Sequence, residues 1–121
     1  MTHPDHVILY VDDPRRSAAF YGQILETKAV ESAPTFALLV LNTGVKLGLW
    51  KREGVVPATA ASGGGNEIAI AVPTDVEVKR LHADWSGRGV PILLPPTRLD
   101  FGTSFVAADP DGHRVRVMTL D

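Results

Sequence analysis

The sequence contains no cysteine among its 121 residues. A disulfide framework, a zinc site built on thiolates and a cysteine nucleophile are therefore excluded. The chain also lacks an excess of charge of one sign, because 12 lysines and arginines stand against 14 aspartates and glutamates. The resulting net charge of −2 offers no basic surface for nucleic acid, so we expect no nucleic-acid partner.

Long hydrophobic runs are missing as well. No apolar segment approaches the roughly 20 residues that span a bilayer, and residues 1–5 lack the basic and apolar regions of a signal peptide. We therefore expect a cytoplasmic protein with no membrane partner. With 45% hydrophobic residues, the chain can fold alone as one domain or as two small modules.

The closing segment, residues 104–118, has the pattern of a β-hairpin. Two apolar stretches flank Asp109-Pro110-Asp111-Gly112, where the proline and the Asp-Gly pair suit the φ angles of a tight turn. The returning strand places Val115 and Val117 on one face and two arginines on the other. The valines require a core, so the arginines must face solvent or a polar cavity.

The order of predicted elements repeats along the chain. A strand at 6–11 is followed by a helix from Pro14 to about Leu25 and by three short strands. The same order returns after a glycine-rich region, with a strand at 67–72 and a helix at 76–86. This repeat predicts an internal duplication of a βαβββ unit. We assign residues 1–53 to a first module, 54–66 to a linker and 67–121 to a second module.

The positions of proline and the alternation of apolar and polar residues predict where these strands end and which of their faces are buried. Residues 90–94 predict a strand that runs into Pro95-Pro96, and residues 97–102 predict a loop that contains Phe101. The second helix is expected to bury Trp85. One face of each strand is expected to pack against the helices; these residues are Val7, Leu9, Val11, Leu47, Leu49, Ile68, Ile70, Val72, Val115 and Val117.

Together these features resemble the vicinal oxygen chelate superfamily, which includes glyoxalases, bleomycin-resistance proteins and ring-cleaving dioxygenases. The resemblance rests on the duplicated order and on the stretches His6-Val7-Ile8-Leu9-Tyr10-Val11-Asp12-Asp13, Ser17 to Leu25, Glu67 to Val72 and Asp109-Pro110-Asp111-Gly112. It implies an α+β fold in which two tandem βαβββ modules form a curled mixed sheet around a cavity. It also implies a homodimer.

Enzymes of this superfamily bind a divalent metal through four positions that carry His, Glu or, less often, Gln. On this chain the resemblance places these positions at His6, Gly48, Glu67 and Arg116. Only two of them could bind a metal, because glycine has no donor side chain and arginine is a permanent cation. We therefore expect no metal and no other cofactor, and the incomplete set favours a binding protein over a metal-dependent enzyme.

The strand faces opposite the helices carry small residues, aromatic residues and a few charges, as a ligand cavity does. Leu49-Trp50 and Asp100-Phe101-Gly102-Thr103 resemble the phenazine-type drug-binding resistance proteins, in which planar antibiotics lie between aromatic side chains without a metal. We predict no catalytic residue. The predicted ligand contacts are Trp50, His6, Ile8, Tyr10, Gly48, Glu67, Phe101, Arg116 and Met118.

The predicted function is non-catalytic binding and sequestration of a planar, partly aromatic small molecule, as in antibiotic resistance. Three alternatives remain: a glyoxalase- or dioxygenase-like enzyme, a metal-free isomerase with Glu67 and His6 as acid and base, and a dimeric scaffold without a ligand. Trp50 has an alternative place in the core or at a dimer interface. For Glu67 and Arg116 we favour a salt bridge with each other, because either charge alone in a cavity would be costly.

Overall fold

The computed structural model describes residues 2–121. The chain divides into two compact units: unit 1 ends at Ser62 and unit 2 runs from Gly63 to Asp121. This boundary lies within the segment 54–66. Each unit has the order strand, helix, strand, strand, strand, so the predicted α+β class and the tandem βαβββ modules are confirmed. Each module forms a four-stranded mixed sheet of its own, and neither sheet is closed.

Unit 1 consists of a four-stranded sheet and one α-helix. Its strand order is β1-β4-β3-β2, in which β1 runs parallel to β4 and the other neighbours are antiparallel, so β1 and β2 are the edges. The elements in chain order are β1 (His6–Val11), α1 (Pro14–Ile24), β2 (Ala29–Ser32), β3 (Phe36–Val40), β4 (Lys46–Lys51) and a 3-10 helix (Arg52–Gly54).

Helix α1 begins where the sequence predicts. The Oδ1 atom of Asp13 accepts hydrogen bonds from the backbone N–H groups of Arg15 (3.1 Å) and Arg16 (3.3 Å), and Pro14 occupies the first helical position. Beyond the helix, Glu26 has a left-handed φ of 54°. Glycine is the usual residue in this conformation, so the chain accepts local strain where it leaves the helix.

The core of unit 1 lies between α1 and the sheet. The helix contributes Tyr21 and Ile24, both buried, and packs mainly on β2, β3 and β4. Val7 departs from the prediction, since it is 39% exposed. Its strand, β1, is an edge strand outside the main contacts of α1. The buried apolar residues of the strands are Leu9, Val11, Ala37, Leu39, Leu47 and Leu49.

Unit 2 repeats this arrangement with the strand order β5-β8-β7-β6. Strand β5 runs parallel to β8, and the other neighbouring strands are antiparallel. Its edges are β5 and β6. The elements are β5 (Glu67–Ala71), α2 (Asp75–Gly87), β6 (Ile92–Leu99), β7 (Gly102–Ala108) and β8 (Arg114–Met118).

The core of unit 2 is centred on Trp85, which is 1% exposed, as predicted. Its indole contacts the ring of Phe105 edge-on, with the ring centroids 5.2 Å apart. Val115 and Val117 are fully buried, so the alternation along β8 is confirmed. In the turn before β8, the carboxylate of Asp109 accepts hydrogen bonds from two backbone N–H groups, each at 2.8 Å.

The predicted end of β6 is wrong. The strand continues through Pro95-Pro96 to Leu99, and the predicted loop 97–102 is reduced to a tight connection at Asp100-Phe101. Because β6 is an edge strand, the backbone groups on its outer side need no hydrogen-bond partner on another strand, so prolines are tolerated there. Its pairing with β7 is also irregular around Leu94.

Among the helices of residues 2–121, none is long and apolar enough to cross a membrane.

Candidate ligand-binding site

The face of the unit 1 sheet that α1 does not cover carries three aromatic residues. On the paired strands β1 and β4, Ile8 lies opposite Gly48 and Tyr10 lies opposite Trp50; on β3, Phe36 also lies opposite Trp50. Residues directly opposite one another point to the same side of a sheet. These five residues therefore define what we call the open face of unit 1.

Gly48 allows two large side chains to meet on this face. A Cβ atom at this position would lie 3.1 Å from the Cζ atom of Phe36 and 3.3 Å from the Cγ1 atom of Ile8. The phenyl ring and the isoleucine side chain therefore occupy the space that a larger residue at 48 would need. Of these contacts, only Phe36 was not predicted.

Tyr10 and Trp50 form an aromatic pair beside this glycine. Their ring centroids are 6.4 Å apart and the rings are inclined by 78°, an edge-to-face arrangement. Both side chains are partly exposed, unlike the buried Trp85. The structure thus places Trp50 on the open face rather than in the core of unit 1.

His6 lies on the same side of the sheet, at the start of β1 and opposite Lys46. Its side chain is 45% exposed, and its Nδ1 atom is 2.6 Å from the Oδ1 atom of Asp5. The hydrogen bond with the His6 ring lowers the pKa of Asp5. A carboxylate only accepts hydrogen bonds, so this contact places a ring proton on Nδ1.

In unit 2, the guanidinium of Arg116 is held by two side chains. Its Nε and Nη2 atoms donate to the two carboxylate oxygens of Glu67, at 2.8 and 2.7 Å, and its Nη1 atom donates to the Oγ atom of Ser104 at 2.9 Å. The predicted salt bridge is confirmed. The hydrogen bonds between Glu67 and Arg116 lower the pKa of Glu67 and raise that of Arg116.

Phe101 and Met118 lie close to this ion pair. The Cζ atom of Arg116 is 6.0 Å from the centroid of the Phe101 ring, at the limit of a cation–π contact. Met118 lies opposite Ala71 on β5 and Ser104 on β7 and is partly exposed. The open face of unit 2 is the sheet face with Glu67, Ala69, Ala71, Ser104, Arg116 and Met118, bordered by Phe101.

The position of Phe101 depends on the residue after it. Gly102 has a φ of 151°, and an added Cβ atom would be 2.1 Å from the carbonyl oxygen of Thr119. The backbone N–H of Thr103 donates to the Oγ1 atom of Thr119 at 2.9 Å, which fixes the hairpin against the end of the chain. Only glycine permits this close approach.

Two residues of these faces, Phe36 and Ser104, were not predicted from the sequence. The duplication of the two units could have indicated both residues, because they occupy equivalent positions. Phe36 lies opposite Trp50 where β3 begins to pair with β4, and Ser104 lies opposite Met118 where β7 begins to pair with β8. The register of these pairs is needed to recognise this equivalence. Neither stretch shows an alternation of polar and apolar residues that would separate its two faces.

The four positions that the resemblance assigns to a metal do not fit one. Gly48 has no donor and its space is filled by apolar groups, while Arg116 is a cation that engages both oxygens of Glu67. Within residues 2–121, no group of three or more histidines, aspartates or glutamates is arranged to hold a metal ion. The donor chemistry of this chain therefore disagrees with a metal centre of the superfamily type.

A depression of about 710 Å³ lies at the carboxyl ends of β1 and β4. It contains none of the predicted ligand contacts. Its lining is mainly charged and consists of Asp12, Asp13, Arg15, Pro34, Lys51 and Glu53.

Comparison with known proteins gives the family. Residues 3–117 match the model of the glyoxalase/bleomycin resistance protein/dioxygenase superfamily, so the chain belongs to this superfamily. It is similar to the phenazine antibiotic resistance protein EhpR of Enterobacter agglomerans, with 28% identity over 98% of this chain and 92% of that protein. The predicted resemblance to the superfamily and to its phenazine-type resistance proteins is confirmed.

Two solved structures share the fold over almost the whole chain. A protein from Agrobacterium tumefaciens, determined by solution NMR, is 49% identical and has a TM-score of 0.91, with coverage of 100% of this chain and 99% of that chain. A glyoxalase-related enzyme from Fulvimarina pelagi is 25% identical and has a TM-score of 0.84, with coverage of 98% and 88%.

Proposed function

We propose that this protein binds and sequesters a planar, partly aromatic small molecule without transforming it, as a cytoplasmic antibiotic-resistance protein. The observation that carries the proposal is the open face of unit 1, where Tyr10, Phe36 and Trp50 remain partly exposed around Gly48. Aromatic rings bind flat aromatic molecules through burial of apolar area and through stacking. Similarity to a phenazine antibiotic resistance protein supports this ligand class.

The ion pair of unit 2 disfavours acid catalysis by Glu67. Glu67 has a lowered pKa and both of its oxygens accept hydrogen bonds from Arg116, so it stays ionised and is a poor proton donor. The alternative of a metal-free isomerase with Glu67 as acid is therefore disfavoured. His6 is the better candidate for a proton-transfer role, because the Asp5 carboxylate accepts a hydrogen bond from its Nδ1 atom and so orients the ring.

The first experiment is calorimetric titration of the protein with phenazine. Stacking contributes roughly 0.5–1.5 kcal/mol beyond the area that an aromatic ring buries. We expect Trp50→Ala to weaken binding at least about tenfold, which corresponds to about 1.4 kcal/mol. Trp50→Phe keeps an aromatic ring at this position and should retain most of the affinity.

Trp85→Ala is the control for a structural effect. Trp85 is buried against Phe105, and replacing a core tryptophan by alanine costs about 3–5 kcal/mol. Thermal melts should therefore show a strongly lowered Tm for Trp85→Ala and a nearly unchanged Tm for Trp50→Ala. The proposal is wrong if the wild-type protein does not bind phenazine or if Trp50→Ala binds it normally.

The non-catalytic part of the proposal has its own test. After prolonged incubation with the protein, phenazine recovered from the complex should have an unchanged mass and an unchanged absorption spectrum. His6 is not one of the five residues that define the open face of unit 1, so His6→Gln should still bind phenazine. Conversion that disappears in His6→Gln would establish an enzyme that uses the Asp5–His6 pair.

A further inference from the structure

On the open face of unit 2, the side chain of Arg116 is held in place by its neighbours. An arginine side chain has five N–H donors in a planar fork. Three hydrogen bonds are formed by Arg116, two with Glu67 and one with Ser104. These hydrogen bonds leave two further N–H donors of Arg116 unused, and the side chain is only 16% exposed.

We propose that the open face of unit 2 binds the carboxylate of a planar organic acid, and that Arg116 is the residue that recognises it. This inference goes beyond the proposed function, because it gives unit 2 a binding site of its own for an aromatic acid. A carboxylate matches the guanidinium fork, because each of its two oxygens can accept one of two parallel N–H···O hydrogen bonds.

The guanidinium needs little reorganisation to bind such a group. Glu67 fixes one edge of its plane through two hydrogen bonds, Ser104 fixes a third N–H, and the ring of Phe101 lies 6.0 Å from its Cζ atom. A donor group that is already immobile loses less conformational entropy when a ligand binds. Glu67 and Ser104 are therefore positioning residues, which act on the ligand through Arg116.

The charge of this face favours an anion. Arg114 and Arg116 lie on the same side of β8, and Glu67 is the partner of one of them. The charge of Arg114 also contributes to the lowered pKa of Glu67, after the larger effect of its hydrogen bonds with Arg116. Two cations and one anion leave a positive face for a ligand carboxylate.

Space and apolar surface are available next to the guanidinium. Ala69, directly opposite Arg116 on the edge strand β5, is exposed and short, and so is Ala71. Phe101 is 38% exposed, and Met118 is partly exposed. These side chains can contact the flat ring of an aromatic acid while its carboxylate reaches Arg116.

The test compares two ligands of nearly the same shape, phenazine-1-carboxylate and its neutral amide, phenazine-1-carboxamide. At pH 7 the wild-type protein should bind the carboxylate at least about tenfold more tightly in calorimetric titrations. This preference should fall as the ionic strength rises, because the interaction is between charges. Equal affinities would overturn the inference and leave the proposed function intact, whereas failure to bind either ligand would overturn the proposed function itself.

Variants assign the preference to one residue. The double substitution Glu67→Gln with Arg116→Met removes the ion pair as a unit and leaves no unpaired buried charge; it should bind both ligands with similar affinity. The double substitution Asp84→Asn with Arg88→Gln removes an ion pair at the end of α2 in the same way and is the matched control, which should keep the preference. A preference that survives in the double variant would overturn the assignment to Arg116.

A measurement on the wild-type protein tests the same assignment without depending on whether the double variant folds. Side-chain N–H resonances of Arg116, assigned by NMR, should shift on addition of phenazine-1-carboxylate and much less on addition of the carboxamide. Binding of the carboxylate without a shift of these resonances would contradict direct recognition by Arg116.

Discussion

At the scale of single residues, corresponding positions of the two units are filled in opposite ways. Gly48 lies opposite Ile8 on a parallel edge strand, and Arg116 lies opposite Ala69 in the same way. In unit 1 a glycine on the inner strand makes room for large neighbours, whereas in unit 2 a large arginine extends among small ones. The duplicated fold thus produces one aromatic face and one polar face.

The Glu67–Arg116 pair makes the stability of the fold depend on pH. The pKa of Glu67 is held below its ordinary value of about 4.5 in the folded protein. Its ionised form therefore stabilises the fold fully above about pH 4.5, and this contribution is lost as the pH falls through the lower folded-state pKa. We expect Glu67→Gln to cost about 1 kcal/mol at pH 7, a modest value because the pair is partly exposed, and less at pH 3.

Urea unfolding of the wild type and of Glu67→Gln at pH 7 and pH 3 measures this difference. Glu77→Gln is the control, because it removes a hydrogen-bonded pair with Arg80 on the surface of α2 and should change stability less at pH 7. A cost of Glu67→Gln that is the same at both pH values would contradict the linkage.

At the scale of elements, the β6–β7 hairpin determines where Phe101 lies. The hairpin is at an edge of the unit 2 sheet, and Gly102 brings its connection against Thr119. The backbone N–H of Asp121 also donates to the carbonyl oxygen of Phe101, at 2.9 Å. The end of the chain therefore holds the residue that borders the Arg116 site.

We expect Gly102→Ala to destabilise the protein by about 2 kcal/mol or more, because the new Cβ atom would combine an unfavourable φ with a backbone clash. Gly44→Ala is the matched control. Gly44 also has a positive φ, of 93°, but a Cβ atom there would meet nothing within 4 Å. Its cost should be about 1–2 kcal/mol, from the left-handed conformation alone. Denaturant unfolding of both variants compares the two, and a smaller cost for Gly102→Ala would argue against the clash.

At the scale of the whole molecule, the outer edges of β1 and β5 have no neighbouring strand within the described chain. On β1, Val7 is 39% exposed and Ile8 is 45% exposed. Unpaired edges with exposed apolar residues favour association, and closed two-fold symmetry is the commonest way to cover them. We therefore propose that the protein is a homodimer that uses β1.

Sedimentation at micromolar concentration should give twice the chain mass of 13.0 kDa. Substitution of both Val7→Lys and Ile8→Lys should shift the protein toward the monomer, since charge on an edge strand opposes pairing. Val76→Lys, at a residue that is 73% exposed on α2, should leave the mass unchanged. A wild-type species of 13.0 kDa would contradict the proposal.

The sequence by itself determined the features that depend on neighbours along the chain. Asp13-Pro14 specified the start of α1, the turn from Asp109 to Gly112 specified the last hairpin, and alternation placed Val115 and Arg116 on opposite faces of β8. The Glu67–Arg116 pair could be predicted across 49 positions because both charges belong to one sheet face, and each needs a partner there.

Only the tertiary structure decided which side chains meet across strands. The ring of Phe36 beside Gly48, the hydroxyl of Ser104 on Arg116 and the place of Phe101 depend on strand register and on which strands are edges. The same edge position allows β6 to continue through Pro95-Pro96, where the local pattern indicated an end. Register is set by the packing of the whole sheet, since a shift of one residue moves every side chain to the opposite face, and no short stretch of sequence contains that information.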